Sequence, residues 1–350
     1  MKNSLLIVAG LLLTFSIFAQ SPEEKQKAEL LCKEGINEMD AGEIEKALVL
    51  FEKAKKLDPE NIHYSYEIAH SYFLTRNYPK AISILEPLLQ HNDVTDHVYN
   101  LLGSSYEFNK DETKALEVYN SGLEKFPSSG IIHNSLGNYL LKNQNYKEAL
   151  NYFENGIKAQ PSFSSNYYWA SKVHSSMEDK LWGIIFAEIY INMEGINDQS
   201  KELSQMIFDV YEKGIRKSED GLTVDIADAD TLAKNFEHEV ELQLLLSAKD
   251  LKESITTSAL YQIRSDFIQN WVEKATHDRY PNLLFDWHKL LLLKGYLEPY
   301  HYWLFKESNP AEFEKYKGDN VVLYNEFIEW LSTNYLKPNA SEYFISTQYQ

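Results

Sequence analysis

Residues 62–95 read IHYSYEIAHSYFLTRNYPKAISILEPLLQHNDVT, and residues 96–129 read DHVYNLLGSSYEFNKDETKALEVYNSGLEKFPSS. Laid one over the other, these 34-residue stretches set Ala69 over Gly103, Ala81 over Ala115 and Leu85 over Tyr119. The same register runs outward in both directions. Ala47, Ala81, Ala115 and Ala149 are each 34 residues apart, and twelve residues before each stands Gly35, Ala69, Gly103 or Gly137. Four residues after each alanine comes a large apolar residue, Phe51, Leu85, Tyr119 or Phe153. Pro59, Pro127 and Pro161 follow at a fixed distance in three units, with Asp93 in the remaining slot. A fixed period over four units with no insertion is the sequence signature of a repeat architecture.

The spacing within a unit explains the pattern. Each unit reads as two helices with a tight turn between them, for example 62–75 and 78–90, with apolar residues recurring at steps of three and four. Small residues let the two helices approach closely, and the large ones fill the space beside them. Proline lacks an amide donor and clashes with the preceding turn, so it ends the second helix. One such pair cannot bury its own apolar face, so neighbouring pairs must stack into a continuous array.

Over 28–163 these residues resemble the tetratricopeptide repeat family, in four units beginning at Ala28, Ile62, Asp96 and Gly130. The likeness rests on the paired small residues, on Tyr72 and Tyr106 in the first helix, and on the helix-ending prolines. The first unit departs from it, with Glu34 and Glu38 where an apolar residue and a tyrosine are usual, which suits an end unit with one face in water. A fifth unit, 164–197, keeps only the outline: Ala170 and Ser171, then Gly183 in the alanine slot and Ala187. The stretch 198–217, with Leu203, Ile207, Val210, Tyr211 and Ile215 on one face, is expected to be the helix that caps such arrays.

The resemblance implies an all-α fold, a right-handed superhelix of helix hairpins whose concave groove is lined by the first helix of each pair. It implies groove positions at His63, Tyr66, His70, Phe73 and Leu74, then at His97, Asn100, Ser104, Glu107 and Phe108, and then at Ile131, Asn134, Asn138, Leu141 and Lys142. Asparagine amides donate and accept together, which suits gripping the backbone of an extended peptide, and flanking aromatics offer pockets for its side chains. The expected partner is therefore a protein or peptide. Polar residues on a helix surface are also ordinary solvated positions, so the groove reading rests on analogy of fold. The lysine and arginine set with which chaperone-binding members of the family clamp a terminal carboxylate is missing, since Cys32 and Ile36 occupy two of its places.

Composition narrows the partners further. The 350 residues are 44% hydrophobic and 13% aromatic, which places them among globular chains rather than disordered ones. A formal net charge of −18 argues against nucleic acid, whose phosphates need a clustered basic surface, and against a polybasic contact with lipid. Residues 1–19 have a basic start at Lys2, an apolar run from Leu5 to Phe18 and a small residue, Ala19, at the expected cut. That is the layout of a cleavable secretory signal. The run falls short of the roughly 20 residues a membrane span needs. The protein is thus expected to be exported, periplasmic or secreted, with no transmembrane segment once the signal is removed. Cys32, the single cysteine, cannot form an internal disulfide and reads as a small apolar filler.

Beyond the repeats, 218–231 reads as an acidic linker, 232–336 as a helical domain and 337–350 as a tail. Asp225, Asp228 and Asp230 lack the glycine and closing glutamate of a calcium loop. Amphipathic runs follow at 232–249, 251–275, from Pro281 onward, at 300–306 and at 321–335. Trp271, Trp287, Trp303 and Trp330 fall one to a helix and are expected to share an aromatic core. There is no nucleophile elbow, phosphate-cradling loop or zinc-ligand motif, and no cofactor or metal is expected. His277, Asp278, Asp286, His288 and His301 are the best cluster for acid–base or metal chemistry, but Asp286 and His288 stand two apart and would face different ways on a helix. Three readings follow: a non-enzymatic scaffold or adaptor, an enzyme with its site in the C-terminal half and repeats recruiting substrate, and an envelope assembly factor.

Overall fold

The computed structural model describes residues 21–177, 179–219, 221–227, 235–252, 254–339, 341 and 345–348. The expected signal, 1–19, lies outside these residues, as do 228–234, which include the end of the expected linker. The described chain is all-α apart from one two-stranded hairpin, and it divides into two compact units, one ending at Ala115 and the other beginning at Leu116.

The first unit holds α1 (Pro22–Asp40), α2 (Ile44–Leu57), α3 (Ile62–Leu74), α4 (Tyr78–Leu88), α5 (Asp96–Phe108) and the start of α6 (Glu112–Lys125). Ser21 begins α1 with a capping box: its side chain accepts from the Glu24 amide while the Glu24 carboxylate accepts from the Ser21 amide. Asn61 and Asn77 cap α3 and α4 in the simpler one-way manner. Pro87 sits inside α4, which stops one residue later, so the second repeat ends its helix without a proline in the usual slot. The periodic small residues do what the spacing requires. A Cβ added at Gly35 would lie 2.5 Å from the Phe51 ring, and the same collision recurs between Gly137 and Phe153 in the fourth repeat. Cys32 is buried beside Ala28, Ala47, Phe51 and Ile68, and burial together with the charge of Glu67 pushes its thiol up to about 11. It is a packing residue and stays protonated at neutral pH.

The first four hairpins turn in the same way. Gly42, Arg76, Lys110 and Gln144 have positive φ, at 83, 61, 67 and 60°, and stand at one position of the repeat. The amide of Arg76 donates to the Phe73 carbonyl at 2.9 Å and that of Asn77 to the Tyr72 carbonyl at 2.8 Å; Lys110 and Asp111, Gln144 and Asn145, and Gly42 and Glu43 repeat the pair. This is the left-handed helix stop in which two otherwise orphaned carbonyls are satisfied.

The second unit continues with α7 (Gly130–Lys142), α8 (Tyr146–Ala159), α9 (Ser165–Ser176), α10 (Lys180–Glu194) and α11 (Asp198–Gly214). The fifth pair, α9 and α10, forms at the repeat spacing despite its worn sequence. Two expectations change here. The stretch 218–231 does not begin as a free linker: β1 (Ile215–Ser218) and β2 (Gly221–Val224) pair antiparallel, with Ile215 opposite Val224. Ile226 is then fully buried, and the amides of Ile226 and Ala227 both donate to the Glu241 carboxylate, at 3.0 and 2.9 Å. Four-residue strands reading IRKS and GLTV carry too little apolar periodicity to announce themselves in sequence.

Nor is 198–217 a cap with solvent beyond it. α11 buries Leu203, Ser204, Ile207 and Phe208, and Phe208 meets the Phe305 ring edge-on at 5.5 Å. Consequently 232–336 is not a separate domain. Its helices are α12 (Asn235–Ser247), α13 (Thr257–Glu273), α14 (Thr276–Arg279), α15 (Leu283–Lys294), α16 (Leu297–Leu304), α17 (Pro310–Asp319) and α18 (Val321–Thr333), and one hydrophobic core runs without a break from Ala149 to Leu336. α10 lies at its centre, buried at every position from Leu181 to Asn192. Trp271, Trp287 and Trp303 are buried on α13, α15 and α16, and Trp330 of α18 stacks on Trp287 at 5.6 Å. The 251–275 run begins as a helix only at Thr257, where the Thr256 hydroxyl accepts from the Ala259 amide.

Candidate functional site

His63, Tyr66, Glu67 and His70 occupy positions one, four, five and eight of one stretch of α3, which brings them to a single face. The Asn61 side chain fixes the start of that helix by accepting from the His63 amide at 3.1 Å. The four residues line a groove of about 520 Å³, together with Ile36 and Met39 of α1, Asp93 and Thr95 of the α4–α5 loop, and His97 and Val98 of α5. The Tyr66 ring stands between imidazoles. It lies nearly parallel to His63 at 6.4 Å, tilted to His70 at 6.1 Å and edge-on to His97 at 6.4 Å. Burial, and then the charges of Glu67 and Asp96, push the Tyr66 hydroxyl up to about 12, so it remains a hydrogen-bond donor at neutral pH.

Glu67 is the residue that the repeat analogy did not mark. It is 6% exposed, yet it lines the groove. One carboxylate oxygen is 3.7 Å from His63 Nε2 and the other 3.8 Å from His70 Nδ1, both beyond hydrogen-bond reach. A glutamate at a mid-helix position of an apolar-facing stripe is visible in sequence as a break in the pattern, since Tyr64 and Ile68 on either side are buried.

The other expected groove residues are distributed differently. Phe73 packs at 5.5 Å against both Tyr78 and Phe108, forming an aromatic group at the far end of α3. Asn100, Ser104 and Glu107 are half-buried along α5, past the residues that line the groove. In the second unit, Asn134, Asn138 and Lys142 follow one another on α7, with Lys142 exposed. The asparagine amides there already have partners. Asn138 Nδ2 donates to the carbonyl and the side-chain oxygen of Asn134, each at 3.0 Å, and Asn134 Nδ2 donates to Asn166 Oδ1 at 3.1 Å. Asn166, fully buried on α9, donates in turn to the Gly130 carbonyl at 3.1 Å. The amide N–H groups expected to hold a peptide thus tie α7 to α9, because Asn166 stands nearly one repeat after Asn134.

The C-terminal histidines do not assemble. His277 Nε2 is 3.1 Å from Asp278, whereas Asp286 is exposed and His288 buried, on opposite faces of α15. His301 is buried with Nδ1 on the Leu297 carbonyl at 2.8 Å. His288 instead meets a residue far away in sequence. Its Nε2 is 2.7 Å from Glu188 Oε1 of α10, which also accepts from Arg264 Nη2 at 2.5 Å and from the Tyr300 hydroxyl at 2.7 Å. Burial disfavours the Glu188 charge, but Arg264 and His288 outweigh it and hold the carboxyl far below the usual range; burial pushes the His288 imidazole down. This enclosed ion cluster pins α10, α13, α15 and α16 together. A separate polar cavity of about 820 Å³, among Asp250, Tyr261, Asp266 and Glu298, is lined by none of the five C-terminal residues singled out in sequence. Among the described residues, no group of three or more histidine, cysteine, aspartate or glutamate side chains is placed to hold a metal ion, and no helix is long and apolar enough to cross a membrane.

Helix pairs closed by one recurring turn, with α3 and α5 lining a groove in the first unit, define a helical-repeat protein. The tetratricopeptide repeat models match residues 38–104, 96–124 and 132–163, and this part of the chain is a tetratricopeptide repeat array. No curated protein matches the sequence. Among solved structures, a tetratricopeptide repeat protein of the thermophile Thermus thermophilus is similar at 14% identity, covering 51% of this chain and 98% of its own, with a TM-score of 0.45. PilF of Pseudomonas aeruginosa is similar at 17% identity over 54% of this chain and 86% of its own, with a TM-score of 0.45. YrrB, described as a tetratricopeptide repeat protein with an unusual peptide-binding site, is similar at 19% identity over 51% of this chain and 91% of its own, with a TM-score of 0.33.

Proposed function

We propose that the protein is an exported, non-enzymatic scaffold that holds a partner protein by an extended segment lying in the groove of α3 and α5. Tetratricopeptide repeats are protein-interaction modules, and the proposal adds the place, the mode and the compartment. The observation that carries it is the groove itself. It is of the size that ligand sites occupy, it is open to solvent, and His63, Tyr66, His70 and His97 present four rings into it. Rings offer contact area at low entropic cost and an edge or face to either a side chain or a peptide group. Export rests on the order of residues in 1–19, and a partner in the cell envelope or beyond follows from it.

The test is positional crosslinking in the producing cell's own envelope fraction. A photoreactive residue in place of His70 is expected to crosslink a discrete partner, and the same residue in place of Lys53, exposed on α2 away from the groove lining, is expected not to. Equal yields from the two positions would remove the groove from the proposal.

A further inference from the structure

We infer that the groove is selective for a basic side chain, a lysine or arginine of the bound segment, with Glu67 as its counter-ion and Tyr66 with the imidazoles as its walls. This rests on the groove being a peptide site and adds the chemistry it selects.

Three observations converge on it. The first is Glu67. The residue is nearly enclosed while its side chain lines the groove, and a hydrogen bond or a cation arriving from the groove would offset the water that such a carboxylate gives up. Here two imidazoles stand 3.7 and 3.8 Å away, and among the described residues no hydrogen bond reaches the carboxylate. Both oxygens are therefore left for a donor that comes from outside, and the groove is the side from which one can come. The second is charge. The lining residues include the carboxylates of Glu67 and Asp93 and no lysine or arginine, and the acidic excess of the whole chain adds to the same field. An acidic or phosphorylated segment would meet repulsion there, and a purely apolar one would leave Glu67 without a partner. The third is the arrangement of rings. Tyr66, flanked by His63, His70 and His97, gives an aromatic surface within a few ångströms of the carboxylate, and cations are attracted to such faces. A long aliphatic stem lies along rings and the apolar Ile36, Ile62 and Val98 while its charged head reaches the carboxylate.

Direct competition between peptides tests this on the full mature chain. The probes are four degenerate nonapeptide libraries that differ only in a fixed central residue: lysine, arginine, norleucine or glutamate. Each is captured by a photoreactive residue at His97 and quantified by mass spectrometry. Lysine and arginine libraries are expected to be captured about tenfold more than norleucine, with glutamate lowest. Glu67→Gln is expected to erase the preference for lysine over norleucine, read as the ratio of the two captures within the same variant. Asp93→Asn, in an exposed loop where folding is not at stake, is expected to reduce the preference about two- to threefold. Should all four libraries be captured alike, or the preference survive Glu67→Gln, the inference is overturned and the groove reading stands. If no library is captured at His97 at all, both fall together.

Discussion

His174 shows what single residues contribute outside the groove. It is buried on α9 with Nδ1 3.1 Å from Asp179 and Nε2 3.1 Å from Glu154. Burial alone would push the imidazole down, but the hydrogen bonds and charges of the two carboxylates outweigh it and hold the imidazole above its ordinary range. A group raised in the folded state contributes all of its stability below the unfolded value, about 6.5, and loses it as pH rises through the folded value. His174→Gln is therefore expected to cost about 1.5–3 kcal/mol at pH 6, as for a lost charged hydrogen bond. The gap between variant and wild type should narrow as pH rises above 6.5. Urea unfolding across pH 6 to 9 measures it, and a gap that does not change with pH would show that the imidazole is neutral in the fold. Glu67 and Glu188 make the complementary point. Both are buried glutamates, but Glu188 accepts from Arg264 and Tyr300 beside His288 and serves packing, whereas Glu67 receives no hydrogen bond among the described residues and faces a groove.

At the scale of the element, the recurring turn matters most. Arg76, Lys110 and Gln144 take the left-handed conformation that Gly42 takes without strain. A side chain there costs about 1 kcal/mol relative to glycine, offset in part by the greater freedom glycine gives the unfolded chain. Arg76→Gly and Lys110→Gly are each expected to raise stability by about 0.5–1 kcal/mol, read as a shift of the urea midpoint with unchanged slope. A loss of stability in both would mean that the side chains make contacts that outweigh the strain. The turn was legible in sequence only at Gly42; the other three carry residues with no turn signal, and only the 34-residue phase connects them. In contrast, the helix pairs themselves were legible throughout, because alanine, glycine and large apolar residues at fixed offsets constrain how closely two helices pack.

For the molecule as a whole, the question is where the repeat array ends. Residues 28–197 read as a repeat array with 198–217 as its cap, yet α10 and α11 bury their faces against α12, α13, α15 and α16 in one core. Cutting the chain after Ser218 would expose Trp182, Ile185, Ile189, Phe208 and Tyr211 and leave Glu188 without Arg264, His288 and Tyr300. Exposed patches of that kind drive association. The truncated chain is expected to aggregate or to bind a hydrophobic dye, and to unfold well below the full mature chain. A monodisperse fragment with the full chain's melting temperature would show that the C-terminal helices pack on the repeats without stabilising them.

The candidate site divides along the same line. His63, Tyr66, His70 and His97 were marked in sequence by the resemblance to the tetratricopeptide repeat family, and all four line the groove of the first unit. The resemblance also marked Asn134 and Asn138, but their engagement by Asn166 needs a contact between repeats that the register alone does not specify. By itself the sequence determined the repeat, its phase and the helix pairs, all of which follow from spacings of three, four and 34. Tertiary structure alone decided the β-hairpin, the single core from Ala149 to Leu336 and the pairing of Glu188 with residues 76 to 112 positions away. The reason is physical: local periodicity reports which face of a helix is buried, and only packing reports what buries it.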